Sequence, residues 1–186
     1  MQQTTIFLTI TLVLAFISRN SLLKPGLNGF AHGFYRFIAW ECMLGLFVLN
    51  MHVWYDDFYS PRQIVSGVLF FMSLLLVLSS LALLHWRGKR DAKRDDVPML
   101  AFEKTTTLVT NGIYRFIRHP MYGSLFLFCW GLFLKLPSLS GSLLAVSASI
   151  FLIATSCVEE KENLNYFGEA YREYMKRTKR FVPFIL

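Results

Sequence analysis

The sequence is poor in charge: Asp, Glu, Lys and Arg make up 17% of its 186 residues, where a soluble domain carries about a quarter. Combined with 54% hydrophobic residues and a mean hydropathy of +0.44, that scarcity excludes an ordinary soluble globule. It equally excludes a disordered chain, which needs polar residues to stay solvated. Cysteine is scarce too. Cys42, Cys129 and Cys157 cannot close a disulfide framework, form no Cys-x-x-Cys pair and fall in apolar runs, where cysteine serves as a small hydrophobe. His32, His52 and His85 stand near the ends of apolar runs at spacings that supply no metal triad; their expected place is the membrane interface, and no metal is expected. Basic residues outnumber acidic ones by 19 to 12, but they cluster beside the apolar runs, as membrane-flanking charge does, so no nucleic acid is expected as a partner.

Long apolar stretches are what the chain has in abundance. Five lie at about 3–18, 37–55, 63–86, 120–134 and 141–158, near the length that crosses a hydrocarbon core as helix. Helices follow because lipid offers backbone groups no partner outside their own segment. The expected fold class is all-α: an integral membrane bundle of about five transmembrane helices with a cytoplasmic loop and a C-terminal amphipathic helix. The first stretch lacks a basic segment ahead of it and a small-x-small cleavage site after it, so it reads as a span and not as a signal peptide. The turn Lys135-Leu136-Pro137-Ser138 predicts a tight antiparallel hairpin of the fourth and fifth helices. Five spans put 17 of the 19 basic residues on one side and leave only Arg62 and Lys135 on the other. The positive-inside rule then predicts a multi-pass protein with its N-terminus outside and its C-terminus cytoplasmic. Two parts are expected, a three-span enclosure at 1–86 and a functional half at 87–186.

Two polar regions break the apolar pattern. The connection from Arg87 to Arg118 is long for a loop without a task. After Cys157, Leu164, Phe167, Tyr171 and Met175 recur at three- and four-residue steps between polar positions, which predicts an amphipathic helix lying along the membrane surface.

Chemistry-bearing residues concentrate where these regions meet the hairpin. The run Asn111-Gly112-Ile113-Tyr114-Arg115-Phe116-Ile117-Arg118-His119-Pro120-Met121-Tyr122-Gly123 places a proline where a helix can start without loss of a donor, with Arg118 and His119 at its mouth. Interfacial anchoring by Arg and Tyr would explain this run equally well. The fifth span ends in Glu159-Glu160-Lys161-Glu162, carboxylates set against the helix dipole if the helix stops there. A turn centred near Ser138 brings residue 119 opposite residue 157, so Glu159 or Glu160 is expected to approach Arg118 and His119, as a structural salt bridge or as a site. Glu41, near the entry of the second span, is a lesser candidate for contact with a substrate.

Arg118-His119-Pro120-Met121-Tyr122, an apolar hairpin, Glu159-Glu160, Gly168-x-x-Tyr171-x-x-Tyr174 and a terminal aromatic-Pro segment around Pro183 resemble, in that order, the isoprenylcysteine carboxyl methyltransferase and phospholipid methyltransferase superfamily. The resemblance covers about 75 residues, Thr110 to Phe184. It implies an enzyme that takes S-adenosylmethionine from the cytoplasmic side and transfers its methyl group to a lipophilic acceptor from the membrane, a prenylcysteine-like carboxylate, a phospholipid amine or another small apolar molecule. His119, Met121 and Tyr122 would line the cofactor, Glu159 and Glu160 would hold its polar groups, and Gly112, Tyr114 and Tyr171 would form walls or lid. Arg118 and Glu160 are the candidates for the reacting centre itself. Two departures stand out: Thr155 occupies the place where the carboxyl methyltransferases carry an Arg ahead of their acidic pair, and no Gly-x-Gly of the phosphatidylethanolamine-methylating type occurs. An alternative resemblance, to the C-terminal half of the steroid 5-alpha-reductase group, would imply NADPH as cofactor.

Overall fold

A computed structural model of the chain describes residues 2–26, 29–89, 97–100 and 103–181. The basic residues between 90 and 96, and Pro183 and Phe184 of the terminal segment, lie outside the described residues. Six α-helices follow one another: α1 Gln2–Leu23, α2 His32–Asn50, α3 Pro61–Arg87, α4 Pro120–Lys135, α5 Leu139–Phe167 and α6 Glu169–Arg177. A two-residue antiparallel ladder, Pro25–Gly26 with Gly29–Phe30, turns α1 back toward α2. The expected all-α membrane bundle is what the chain forms, with four and not about five helices long and apolar enough to cross among the described residues.

By length and composition α1, α3, α5 and the segment from α2 through Val53 can each cross a membrane. At 16 residues, α4 extends about 24 Å at 1.5 Å per residue, short of a hydrocarbon core of about 30 Å. This is a multi-pass membrane protein in which α4 packs against the longer helices α3, α5 and α2. Pro61 and Pro120 open α3 and α4 at the first turn, where a missing N–H costs nothing. Ser138 starts α5 by accepting from the Gly141 amide at 3.1 Å, the usual N-cap device.

The core forms where small and branched residues recur on one face: Ala39, Met43 and Leu46 of α2, Cys129 and Leu132 of α4, Ala145, Ala148 and Leu152 of α5. Lipid and leucine are equally apolar, so helices in a membrane associate through close packing and interhelical hydrogen bonds. The chain uses both. Ser66 and Ser73, one heptad apart on α3, donate to the carbonyls of Gly131 at 2.8 Å and Ser124 at 2.7 Å on α4. As a result α4 packs mainly on α3 while α5 packs mainly on α2. The predicted α4–α5 hairpin exists through its short turn, but its two arms lean on different neighbours. Cys42, Cys129 and Cys157 are free thiols, as expected, and no metal-binding group of His, Cys, Asp or Glu occurs among the described residues.

Three expectations need correction. The fifth span does not end near 158: α5 continues unbroken to Phe167, because no proline or glycine intervenes before Gly168. The predicted amphipathic surface helix is therefore divided, its first half being the end of α5 and its second half the separate helix α6. Gly168, at φ +60° and ψ −132°, makes the bend in a backbone region that is essentially glycine's alone. Finally, Glu159, Glu160 and Glu162 sit inside α5 and not at its C-terminus, so the helix dipole has no bearing on them.

Candidate active site

The run before α4 is held by the tail that follows α6. Arg118 N–H donates to Lys179 O at 2.8 Å, Lys179 N–H to Phe116 O at 3.0 Å and His119 N–H to Arg180 O at 3.0 Å, a short parallel pairing centred on Ile117 and Lys179. One turn earlier, the Tyr174 hydroxyl donates to Tyr114 O at 2.6 Å. Gly112, at φ +60°, permits the turn into Tyr114, and a Cβ there would stand 2.7 Å from Leu83 Cδ1 of α3. With its backbone so fixed, this segment presents Arg118 and His119 to α5.

Arg118 Nε donates to Glu160 Oε1 at 2.8 Å, and its Nη1 donates to the carbonyls of Thr178 and Met175. Arg180 binds both oxygens of the same carboxylate. Glu160 is thus buried and saturated by two guanidinium groups. His119 Nε2 lies 3.4 Å from Glu160 Oε1 but is too poorly aligned to count as a hydrogen bond, which leaves that buried nitrogen without a partner. One residue earlier on α5, Glu159 accepts from the Tyr122 hydroxyl at 2.5 Å and lies 3.9 Å from His119 Nδ1. The His119 and Tyr122 rings stack at 5.5 Å between centroids and 19° between planes.

These groups form one wall of an open cavity of about 100 Å³. Leu84, Val97, Leu108 and Val109 supply an apolar wall, and Phe167, Tyr171 and Tyr174 bound it from the α5–α6 bend. Of the residues singled out from sequence, Tyr114, Arg118, His119, Met121, Tyr122, Glu159 and Tyr171 line this one cavity. Gly112 and Glu160 do not. Gly112 packs against α3, and Glu160 lies behind the wall, where it fixes Arg118 and Arg180. Arg118, with its donors committed to Glu160 and to carbonyls, is a brace and not a free cation. Burial pushes the Tyr114, Tyr171 and Tyr174 phenols above their ordinary range, so these rings serve as neutral walls and donors.

The other end of the cavity holds a cluster that sequence reading missed. His32, at the start of α2, has Nδ1 2.5 Å from Glu162 Oε2 and Nε2 3.4 Å from Glu103 Oε2. Glu103, from the long connection, also pairs with Arg36 Nη1. His32 stands at the start of its helix, as expected, but it is fully buried between two carboxylates. Burial by itself would raise the Glu103 carboxyl, but the Arg36 charge and the His32 hydrogen bond outweigh it and hold the group down at about 2. His52 and His85 are exposed at helix ends, as expected. Glu41 accepts from Thr11 Oγ1 at 2.7 Å, a link between α1 and α2 outside the cavity lining. Thr155 is buried and bonded to Phe151 O of its own helix at 2.7 Å.

The family model for phospholipid methyltransferase matches residues 61–170, more than half of the chain. Human protein-S-isoprenylcysteine O-methyltransferase is 37% identical over 82 residues, which cover 44% of this chain and 29% of that protein. The Schizosaccharomyces pombe protein of the same name is 31% identical over 83 residues, 44% of this chain and 35% of that one. Methanethiol S-methyltransferase of Pseudomonas deceptionensis is 32% identical over 73 residues, 38% of this chain and 26% of that one. The chain therefore spans about a third or less of the length of these relatives. No solved structure matches. Neither the family model nor these relatives support the reductase alternative. Because that model covers more than half of it, the chain belongs to the phospholipid methyltransferase family.

Proposed function

We propose that the cavity holds S-adenosylmethionine and that the protein transfers its methyl group to a lipophilic acceptor from the membrane. The observation that carries this reading is the pairing of Tyr122 with Glu159 at 2.5 Å, which joins the start of α4 to the middle of α5 across one cavity. The relatives named above support methyl transfer as the reaction.

The residues present fit the cofactor. S-adenosylmethionine, when bound, supplies an electrophilic methyl group on a sulfonium. Glu159 is the one carboxylate on the α4–α5 wall that remains partly open, at 26% exposure, and a carboxylate in a partly dry site stabilises a neighbouring cation far more than it would in water. Beside it the stacked His119 and Tyr122 rings offer a π-face to a cation or a base. His119 Nε2, buried without a partner, is a ready donor or acceptor. The first turn of α4 adds backbone N–H groups at Met121 and Tyr122 that no helical carbonyl can satisfy, suited to a carboxylate.

Methyl transfer by in-line displacement needs alignment and exclusion of water more than proton chemistry. The Arg118–Glu160–Arg180 brace keeps the wall rigid, so the acceptor meets a pre-set geometry. Leu84, Val97, Leu108 and Val109 form the dry side on which an apolar acceptor lies. Cavity residues come from both parts of the chain, His32 and Leu84 from 1–86 and the rest from 87–186, so the N-terminal helices belong to the site and do more than enclose it. The sequence's bias of 17 of its 19 basic residues to one side of the expected spans supports a cytoplasmic opening, with the N-terminus outside.

Calorimetry on detergent-purified protein tests the reading. S-adenosylhomocysteine binds and NADPH does not; binding of NADPH alone overturns the proposal.

A further inference from the structure

A second open groove, of about 450 Å³, lies along the seam between α6 and the segment before α4. Thr110 and Arg115 line it from one side, and Glu173, Tyr174, Arg177 and Thr178 from the other. Of these, Tyr174 alone also lines the cavity described above, and its hydroxyl is already given to Tyr114 O. The groove is therefore a separate site.

Two guanidinium groups in it are unspent. Arg115 and Arg177 are exposed, and among the described residues neither side chain has a hydrogen bond or an ion pair. Their basic neighbours are all engaged: Arg172 pairs with Glu169 at 3.3 Å, Lys176 with Glu173 at 2.5 Å, and Arg118 and Arg180 with Glu160. Glu173, one turn before Arg177, is the one carboxylate lining the groove, so two arginines there face a single acid that Lys176 already holds. The α6 dipole favours a cation at Arg177, in the last turn of the helix, but it does not account for Arg115, which comes from another element. Forked donors from two separate elements around one opening, with the exposed Thr110 beside them, match the oxygens of a phosphate.

The surroundings point to the membrane surface. Phe116, next to Arg115, is 45% exposed, and shortly after it Pro120 opens the apolar helix α4. An exposed aromatic ring and an arginine at the mouth of a membrane helix belong to the level of the headgroups, where anionic phosphates gather and basic pockets take them up.

We propose that Arg115 and Arg177 bind a phosphate group at the membrane surface. Held between them, the phosphate bridges α6 to the segment before α4, the two elements that the Tyr174–Tyr114 bond joins, and so fastens α6 over the cavity from outside. The site stands whatever the cavity holds.

The probes are phosphatidylglycerol, phosphatidylcholine and inorganic phosphate, each titrated into the detergent-purified full chain. Native mass spectrometry reads the bound lipid, and the thermal midpoint, against chloride at matched ionic strength, reads the phosphate. The wild type is expected to retain phosphatidylglycerol about tenfold more tightly than phosphatidylcholine, the scale of a charge-assisted contact. That preference falls to about twofold or less in Arg115→Gln and in Arg177→Gln. Arg172→Gln, which removes the same charge from α6 outside the groove, keeps it. Both groove arginines are exposed and unpaired, so the variants keep the wild-type midpoint in detergent alone. A lipid preference lost in the two groove variants supports the site and identifies a headgroup as the source. A midpoint raised by phosphate with no lipid preference, and lost in the same variants, supports the site and identifies a free phosphate. Equal retention of the two lipids together with no response to phosphate overturns the proposal. An effect that survives in both groove variants, or that Arg172→Gln abolishes as well, overturns it too, because it then belongs to the general charge of the protein.

Discussion

Arg180 donates to both oxygens of the Glu160 carboxylate, Nη2 to Oε2 at 2.6 Å and Nε to Oε1 at 3.2 Å. With Arg118 on the same carboxylate, Glu160 is the counter-ion of two arginines and does not itself line the cavity. Its removal therefore acts first on the fold.

Glu160→Gln leaves the Arg118 and Arg180 charges without their carboxylate, and breaking a buried pair from one side costs about 3 kcal/mol or more. The expected result is a clear drop in the detergent thermal midpoint, with cofactor affinity lost only in proportion to the folded fraction. An unchanged midpoint with abolished binding would return Glu160 to the cofactor's first neighbours.

Glu159→Gln should do the reverse. Glu159 is partly open and its partner Tyr122 can donate equally well to an amide oxygen, so the midpoint moves little. Affinity for S-adenosylmethionine falls by about tenfold, on the scale of one charge-assisted contact. S-adenosylhomocysteine, which lacks the sulfonium charge, loses less. Calorimetry with both ligands measures the difference, and equal losses would place the carboxylate away from the sulfonium.

Stability should fall in acid through Glu103. Its carboxyl is held at about 2, below the ordinary 4.5, so the folded state binds the proton less readily than the unfolded one. The stabilisation is complete above about 4.5 and drains away as pH falls from there toward 2, amounting to about 3 kcal/mol in all. Unfolding of the wild type and of Glu103→Gln across that window checks it: the wild type steepens there, and the variant is weaker at neutral pH and flatter in acid.

Gly168→Ala forces a side chain onto a φ of +60° with ψ far from the left-handed helix, a strain of about 1–3 kcal/mol. Because open space surrounds that position, the cost is conformational and not steric. The α5–α6 bend relaxes, Tyr171 and Tyr174 lose their seat on the cavity, and both thermal midpoint and cofactor affinity decline together.

The five apolar helices were legible in the sequence because lipid leaves the backbone no other solution, and the meeting of His119 with Glu159 was legible because Pro120 fixes a helix start and the Ser138 turn is short. The end of α5 was not. Charge after Cys157 looks like an exit from the membrane, whereas nothing breaks the helix before Gly168. The cluster of His32, Arg36, Glu103 and Glu162 was hidden for another reason: its bonded pairs lie 67 to 130 positions apart, and single-sequence periodicity reports only neighbours along one helix. Arg180 passed as membrane-flanking charge, and nothing local marks it as the partner of Glu160. Likewise the heptad of Ser66 and Ser73 acquires meaning only once α4 is seen to offer its carbonyls.

The pairing of Ile117 with Lys179 ties the start of α4 to a stretch synthesised about sixty residues later. While the ribosome is still making α5, Arg118 has neither its carboxylate nor the carbonyls that will receive it, so the pocket is the last thing to close as the chain is born. A fusion or tag that pulls on residues 178–180 would hold the protein in that newborn state, inserted but without a finished pocket.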